Sequence, residues 1–460
     1  MSRVPALELG QWRHLDGFSG GERLLLPARH LVTHGVVVGM TGSGKTGLVT
    51  VLVEEALSAG IPTIVIDIKG DLPNLLLTFP EGVPESLAPI VGSGAPIPTS
   101  SPRAAQFAAT SALRVITPGA SMGESLHVLS SLERRSARWD TDPESARDAL
   151  SAGVSLVLRL LGRDPDPAKS REHVLLSVLA ERRLLLGEAA DMASLMQDLE
   201  SPPITQIGAL PINSFLRKSE RASLAAALNS LLAAPTFSTW RTGASLDIAE
   251  WVKPRDGRTP GVIVSVAHLD DEERVLVLGV VLEEILSWVR GLPGSSELKA
   301  LVVFDEVYGY LPPHPANPPT KRPIVSLMKQ ARAFGVGVVI ATQNPMDLDY
   351  RALSNAGLWC IGRLQTDADR DRVLDGLSVA TTTDSDPKEM EHTIARLAPR
   401  WFVVRNVHAA DAGPILVKPR NTWSIMRGPL TRGELRQVIA AGKECRERVF
   451  RPLQRDELVR

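Results

Sequence analysis

The sequence predicts an α/β fold: a mainly parallel central sheet interrupted by an all-α insertion. Short β-branched runs alternate with amphipathic helical patterns, as in strands joined by covering helices. Several of those runs are apolar throughout rather than alternating, as expected of strands buried on both faces. Between about Ser121 and Glu250 the strand signal vanishes and helical periodicity takes over.

Strands are expected at His34–Val38, Thr63–Asp67, Leu113–Thr117, Val262–Val266, Leu301–Asp305, Val336–Ala341, Leu358–Arg363 and Trp401–Arg405. Within the insertion, "SARDALSAGVSLVLRLLG" and "REHVLLSVLAERRLLLG" have helical spacing, and Gly162 and Gly187 stand where helices end. The later strands need the same sheet as the earlier ones, so the insertion divides one core. The expected organisation is a short N-terminal segment (1–30), the first part of the core (31–120), the all-α insertion (121–250), the second part of the core (251–430) and a C-terminal helix and tail (431–460). Thr431 and Glu434 form a capping-box pattern at the start of that last helix.

Composition excludes several classes. Lys plus Arg number 51 against 52 Asp plus Glu, so there is no basic coat, and nucleic acid must bind on a local patch. Two cysteines, Cys360 and Cys445, give neither a disulfide framework nor a CxxC zinc module. His30 and His34 are four apart but have no third ligand, so zinc is not expected. No apolar run spans a bilayer: "RVLVLGVVLEEILSWVR" is broken by Glu283 and Glu284. The N-terminus has no apolar signal region, so a cytoplasmic protein without membrane contact is expected.

"GMTGSGKT", Gly39 to Thr46, fits the pattern G-x-x-x-x-G-K-[S/T]. It follows "GVVV" and opens a helical pattern carrying Leu48, Leu52 and Ala56 on one side, with Val49, Val53 and Leu57 beside it. Phosphate binding needs this arrangement: glycines let successive N–H groups face the phosphates, and the helix N-terminus adds positive potential. Candidate contacts to ATP are Gly39, Met40, Thr41, Gly42, Ser43, Gly44, Lys45, Thr46 and Gly47. Lys45 is expected at the β- and γ-phosphates, with the Thr46 hydroxyl on Mg2+. The bland alternative is a glycine-rich turn with a surface lysine.

In "LKALVVFDEVYGYLPP" an apolar strand ends in adjacent carboxylates, which repel each other and lose solvation. Beside a phosphate loop they gain a reason: Asp305 in the Mg2+ shell and Glu306 polarising the attacking water. The alternative is a pair of acids opening a solvated loop. "FGVGVVIATQNPMDLD" likewise ends a strand in an amide, Gln343, placed to hydrogen-bond phosphate and water together; otherwise it caps its own turn beside Pro345. In "GLWCIGRL", Arg363 is expected near a strand end, either as an arginine finger for a neighbouring subunit's γ-phosphate or in a salt bridge to Asp367 or Asp369. Asp67, Lys69 and Asp71 in "IVIDIKGDLPNLL" either tune Mg2+ or transmit nucleotide state, or form a satisfied ion-pair turn.

Taken together, "THGVVVGMTGSGKTGL", "IPTIVIDIKGDLPNLLLTFP", "LVVFDEVYGYLPP", "KQARAFGVGVVIATQNPMDLDYRALSNAG" and "IGRLQTDADRDRVLDGL" resemble the HerA/FtsK superfamily of RecA-like motor ATPases. The resemblance is closest to bacterial ATP-binding proteins with a HerA-like helicase domain. It extends through "SREHVLLSVL", "PPITQIG", "RASLAAALNSLLAAPTFSTW" and "WSIMRGPLT", and so covers most of Leu31 to Thr431. It implies a RecA-like P-loop NTPase core, a homohexameric ring with nucleotide between subunits, and double-stranded DNA in a central pore. Lys45, Thr46, Asp305, Glu306 and Gln343 fall on the family's motif positions, and Arg363 on its trans-arginine. HerA proper carries a β-barrel before the P-loop, whereas about thirty residues precede it here.

Candidate DNA contacts are Arg134-Arg135-Arg138, Arg217-Lys218-Arg221 and Lys253-Arg255-Arg258; each also reads as a solvated face. Two functions share the active-site residues: a DNA translocase or helicase, and an ATP-gated assembly protein organising a partner such as a nuclease. A third, an ATPase moving protein in export or conjugation, is disfavoured by the missing membrane segments and docking domain.

Overall fold

A computed structural model describes residues 5–15, 20–92, 101–133, 135, 138–353, 355–364, 366–378 and 387–449. In chain order its main strands are β1 (Ala6–Arg13), β2 (Gly20–Pro27), β3 (Gly35–Val38), β4 (Thr63–Asp67), β5 (Ser111–Ile116), β6 (Thr259–Ser265), β7 (Ser295–Asp305), β8 (Phe334–Thr342), β9 (Leu358–Ile361), β10 (Phe402–Asn406) and β11 (Ile415–Pro419). They form one eleven-stranded sheet in the order β2-β1-β11-β10-β9-β3-β8-β7-β4-β6-β5. The run from β9 to β5 is parallel, and the four strands beyond β9 are antiparallel.

The continuous apolar runs have their expected cause. Val36, Val38, Ile64, Ile66, Val302, Phe304, Val338 and Ile340 enter one core. Their alternates Val37, Val65, Leu301, Val303, Val339 and Ala341 enter another, with the helix α1 (Lys45–Ser58) that follows the phosphate loop. Each central strand is therefore covered on both faces, and helices must come from both directions.

The structure corrects two parts of the expected organisation. The N-terminal segment is not a bare lead-in: β1 and β2 pair antiparallel, and β1 joins the sheet through β11. The insertion is not wholly helical. Its larger helices are α2 (Pro143–Leu160), α3 (Arg171–Leu185), α4 (Met192–Glu200) and α5 (Lys218–Ala233). Two short ladders accompany them: Leu126–His127 with Ala244–Ser245, from before the first and after the last of these helices, and Gln206–Ile207 with Leu210–Pro211, between α4 and α5. Leu150, Val157, Leu175, Leu179 and Leu228 of the insertion share a core with Val277, Val281 and Ile285 of α6 (Asp271–Arg290). The insertion is thus a thickening of one sheet face.

The register brings polar residues to one end of the parallel region. Asp305 lies opposite Asp67, Asp67 opposite Ser265, and Thr342 opposite Val38. The carboxyl ends of β3, β8, β7 and β4 open on one edge, where the chain leaves each strand for a loop; in open α/β sheets that edge is where ligands bind.

Candidate nucleotide site

The phosphate loop is built by strain that glycine absorbs. Gly42 and Gly44 have φ of +81° and +94°, in the left-handed region that side chains disfavour. A Cβ at Gly44 would stand 3.0 Å from Arg400 Cγ and 3.1 Å from Arg400 Cα. The loop is fixed to its neighbours by backbone bonds: Gly39 N–H to the Thr342 carbonyl (3.3 Å), Met40 N–H to the Arg363 carbonyl (3.0 Å) and Arg400 N–H to the Ser43 carbonyl (2.8 Å). Lys45 and Thr46 open α1, so the loop delivers them at a helix N-terminus.

Four predicted residues from three strands converge. Lys45 Nζ lies 2.9 Å from Glu306 Oε2. Gln343 donates its backbone N–H to Glu306 Oε1 at 3.2 Å, and its side-chain Oε1 accepts from the Thr41 hydroxyl at 2.8 Å. The strand-terminal amide is therefore bonded to the phosphate loop itself. Glu306 has φ +65°, left-handed for a bulky residue, which turns its carboxylate from the end of β7 towards the loop.

Electrostatics separate the two acids. Burial raises the Asp305 carboxyl to about 6, against the pull of Lys45 and with the push of Glu306. Burial acts the same way on Glu306, but the ammonium groups of Lys45 and Lys69 outweigh it and hold its pKa below the ordinary value. Lys45 is itself lowered by burial, which exceeds the stabilisation from Glu306. Asp67 is raised to about 7, chiefly by burial, and Asp305 adds to that rise. Asp305 Oδ1 is buried with no hydrogen-bond partner among the described residues, as is Ser43 Oγ. A buried, orphaned carboxylate oxygen is a hard donor suited to a Mg2+ shell, together with the Thr46 hydroxyl on the adjoining helix turn.

Other expectations change. β9 ends at Ile361, so Arg363 lies in the loop beyond it rather than in the strand. Its side chain is exposed and its carbonyl supports the phosphate loop. The alternative partners are otherwise engaged: Asp367 pairs with Arg370, and Asp369 accepts from the Thr366 hydroxyl at 2.6 Å. Arg221 is not a DNA contact, because it is 4% exposed and donates to the Leu199 and Leu216 carbonyls. Arg134 lies outside the described residues, Arg135 pairs with Asp140, Lys253 with Glu250 and Arg258 with Asp256. Of two further neighbours of the site, Lys69 was expected in the polar turn after β4, without its partner, and Arg400 was not expected. Arg400, at φ +66°, braces Gly44, and Lys69 reaches Glu306 Oε2 at 2.8 Å. The polar turn after β4 was a signal for Lys69; nothing local marks Arg400. No helix among the described residues is long and apolar enough to cross a membrane.

A glycine loop between strand and helix, with an acid pair on β7 and one strand interposed between β3 and β7, defines a RecA-like P-loop nucleotide-binding core. Residues 23–93 match the family model for the central domain of the helicase HerA. No curated protein sequence matches the chain. Among solved structures, VirB4 of Thermoanaerobacter pseudethanolicus superposes with a TM-score of 0.53 at 13% identity, covering 91% of this chain and 97% of that one. The plasmid coupling protein TrwB, in complex with the ATP analogue ADPNP, gives a TM-score of 0.50 at 14% identity, covering 93% and 92%. Such identities speak for the fold. Over residues 23–93 the chain is thus similar to that HerA domain, and its fold is that of the RecA-like P-loop proteins.

Proposed function

We propose that this protein is an ATP-hydrolysing motor that works as a homohexamer and translocates or unwinds double-stranded DNA. The observation that carries the chemistry is the convergence of Lys45, Glu306, Gln343 and Thr41 beside the orphaned Asp305 oxygen. A triphosphate placed on the loop meets its N–H groups and the Lys45 ammonium. Thr46 and Asp305 would hold Mg2+, which would supply neutralisation of phosphate charge. Glu306, whose carboxylate is kept ionised by its two lysines, accepts a proton from the attacking water. The Gln343 side chain, bonded to Thr41 at the mouth of the loop, exchanges that bond for one to the γ-phosphate and so reports its presence.

The Arg363 guanidinium, exposed beside the loop, is assigned to a subunit interface, where it reaches a neighbour's γ-phosphate. Arg363→Ala rings mixed with rings dead at Glu306 should regain turnover through mixed interfaces; if mixing never restores activity, the trans role is wrong. Arg217 and Lys218, exposed at the start of α5, are the remaining described cations of their cluster for phosphate contact. The experiment that tests the whole reading is ATP turnover with and without linear duplex DNA, alongside a mass measurement for the ring. Stimulation by DNA in a six-subunit species supports the motor. Hydrolysis indifferent to DNA but responsive to a protein partner such as a nuclease assigns the same site to an ATP-gated assembly protein.

A further inference from the structure

The stretch Asp67-Ile68-Lys69-Gly70-Asp71 has so far entered only through the charge of Lys69, yet its geometry is closely specified. Asp67, fully buried, accepts the Gly70 N–H at 3.0 Å and the Ser265 hydroxyl at 2.9 Å. Gly70 has φ +86°, and a Cβ there would stand 3.2 Å from Ala267 Cβ and 3.6 Å from Pro429 Cβ. A few residues on, Asn74 Nδ2 donates to the Gly428 carbonyl at 2.9 Å. The turn is anchored to β6 and to the segment before the C-terminal helix, and it projects Lys69 across β7 to Glu306.

Glu306 is held at both oxygens. Oε1 takes the Gln343 N–H, and Oε2 takes the ammonium groups of both Lys45 and Lys69. The two lysines differ in what else they serve. Lys45 sits in the first turn of α1, where a triphosphate competes with Glu306 for it. Lys69 comes from a different strand and loop and makes no part of the phosphate cradle. When nucleotide draws Lys45 away, Lys69 is the cation left on Oε2. We propose that Lys69 is a positioning residue for Glu306: it fixes Oε2, so that Oε1, beside the Gln343 amide, faces the attacking water. This rests on the hydrolysis reading above.

The test uses the full chain and separates kcat from KM. Lys69→Met should lower kcat for ATP by about 10- to 100-fold, the scale of a small misplacement of a reacting group, and leave KM within about twofold. Lys69→Arg should recover most of the loss. Under single-turnover conditions, Lys69→Met placed on Glu306→Gln should add less than about a twofold further loss, because the residue it positions is already gone. An unchanged or increased kcat in Lys69→Met, no recovery with arginine, or a loss that multiplies with that of Glu306→Gln overturns the proposal. The two readings fail separately. Normal turnover by Glu306→Gln sinks the hydrolytic role of Glu306, whereas a dead Glu306→Gln with a fully active Lys69→Met sinks only the assignment of Lys69.

Discussion

Replacing Glu306 by glutamine tests chemistry and binding in opposite directions. The side chain keeps its size and one carbonyl oxygen for the Gln343 N–H, now 3.2 Å from Oε1. It loses the charge that accepts a proton, so turnover should fall by about 10²- to 10⁴-fold, or roughly 3–5 kcal/mol of barrier. Binding should move the other way. Lys45 and Glu306 side chains are 5% and 11% exposed, so their ion pair is largely shielded from water. The variant leaves the Lys45 ammonium buried without its carboxylate, which costs the empty protein on the order of 1–3 kcal/mol. A bound triphosphate supplies the missing anion and returns that energy as affinity. ATP should therefore bind the variant at least as tightly as the parent, and nucleotide should raise its melting temperature by more. The assay is steady-state phosphate release with equilibrium ATP binding and thermal melts, with and without nucleotide. Turnover above about a tenth of the parent's, or ATP binding that falls with turnover, refutes the reasoning.

Gly44→Ala puts a methyl 3.0 Å from Arg400 Cγ at a φ of +94°, a strain of about 1–3 kcal/mol, so equilibrium titration should show ATP affinity reduced about tenfold or more. Glu54 on α1 is fully buried; it accepts from Arg420, from the Trp423 and Ser424 N–H groups and from the Ser424 hydroxyl. Glu54→Ala should destabilise the fold by about 3–5 kcal/mol in denaturant titrations, since it leaves Arg420 with Glu55 as its remaining carboxylate and strands the buried Trp423 and Ser424 donors. Burial raises the Glu283 carboxyl from 4.5 to about 7, so the folded state binds the extra proton and stability falls as pH rises through that window, by about 3 kcal/mol at most. Glu283→Gln should flatten that fall: relative to the parent it gains stability at pH 8 and gains little at pH 4. Equal pH profiles for parent and variant would remove Glu283 from the titration.

The parts of this fold legible in the sequence are those where local chemistry contradicts burial or agrees with it completely. β3, β4, β8 and β9 announce themselves because both faces are covered and nearly every residue is apolar. β1, β2 and β11 do not. "GGERLLLP" begins with two glycines and two charges, and the β1–β2 pairing shifts register near Gly10, so neither alternation nor a continuous run develops. The two-residue ladders of the insertion are too short to show any period. Arg221 differs for a related reason: its spacing of three and four from Lys218 and Arg217 suggests a shared face, but tertiary packing buries it and takes its guanidinium to the Leu199 and Leu216 carbonyls.

The site divides along the same line. Asp305, Glu306 and Gln343 are visible as polar residues ending apolar strands, where they need a ligand or a partner to justify their desolvation. What they touch is not visible. Glu306 meets Lys45 across 261 positions, Lys69 across 237 and Gln343 across 37, and only the strand order sets those encounters. Had β8 not stood between β3 and β7, the Gln343 amide would lie away from both the loop and the acid. The interposed strand sets Gln343 between the loop and the acid, so that its side chain bonds to Thr41 on one side and its N–H to Glu306 on the other.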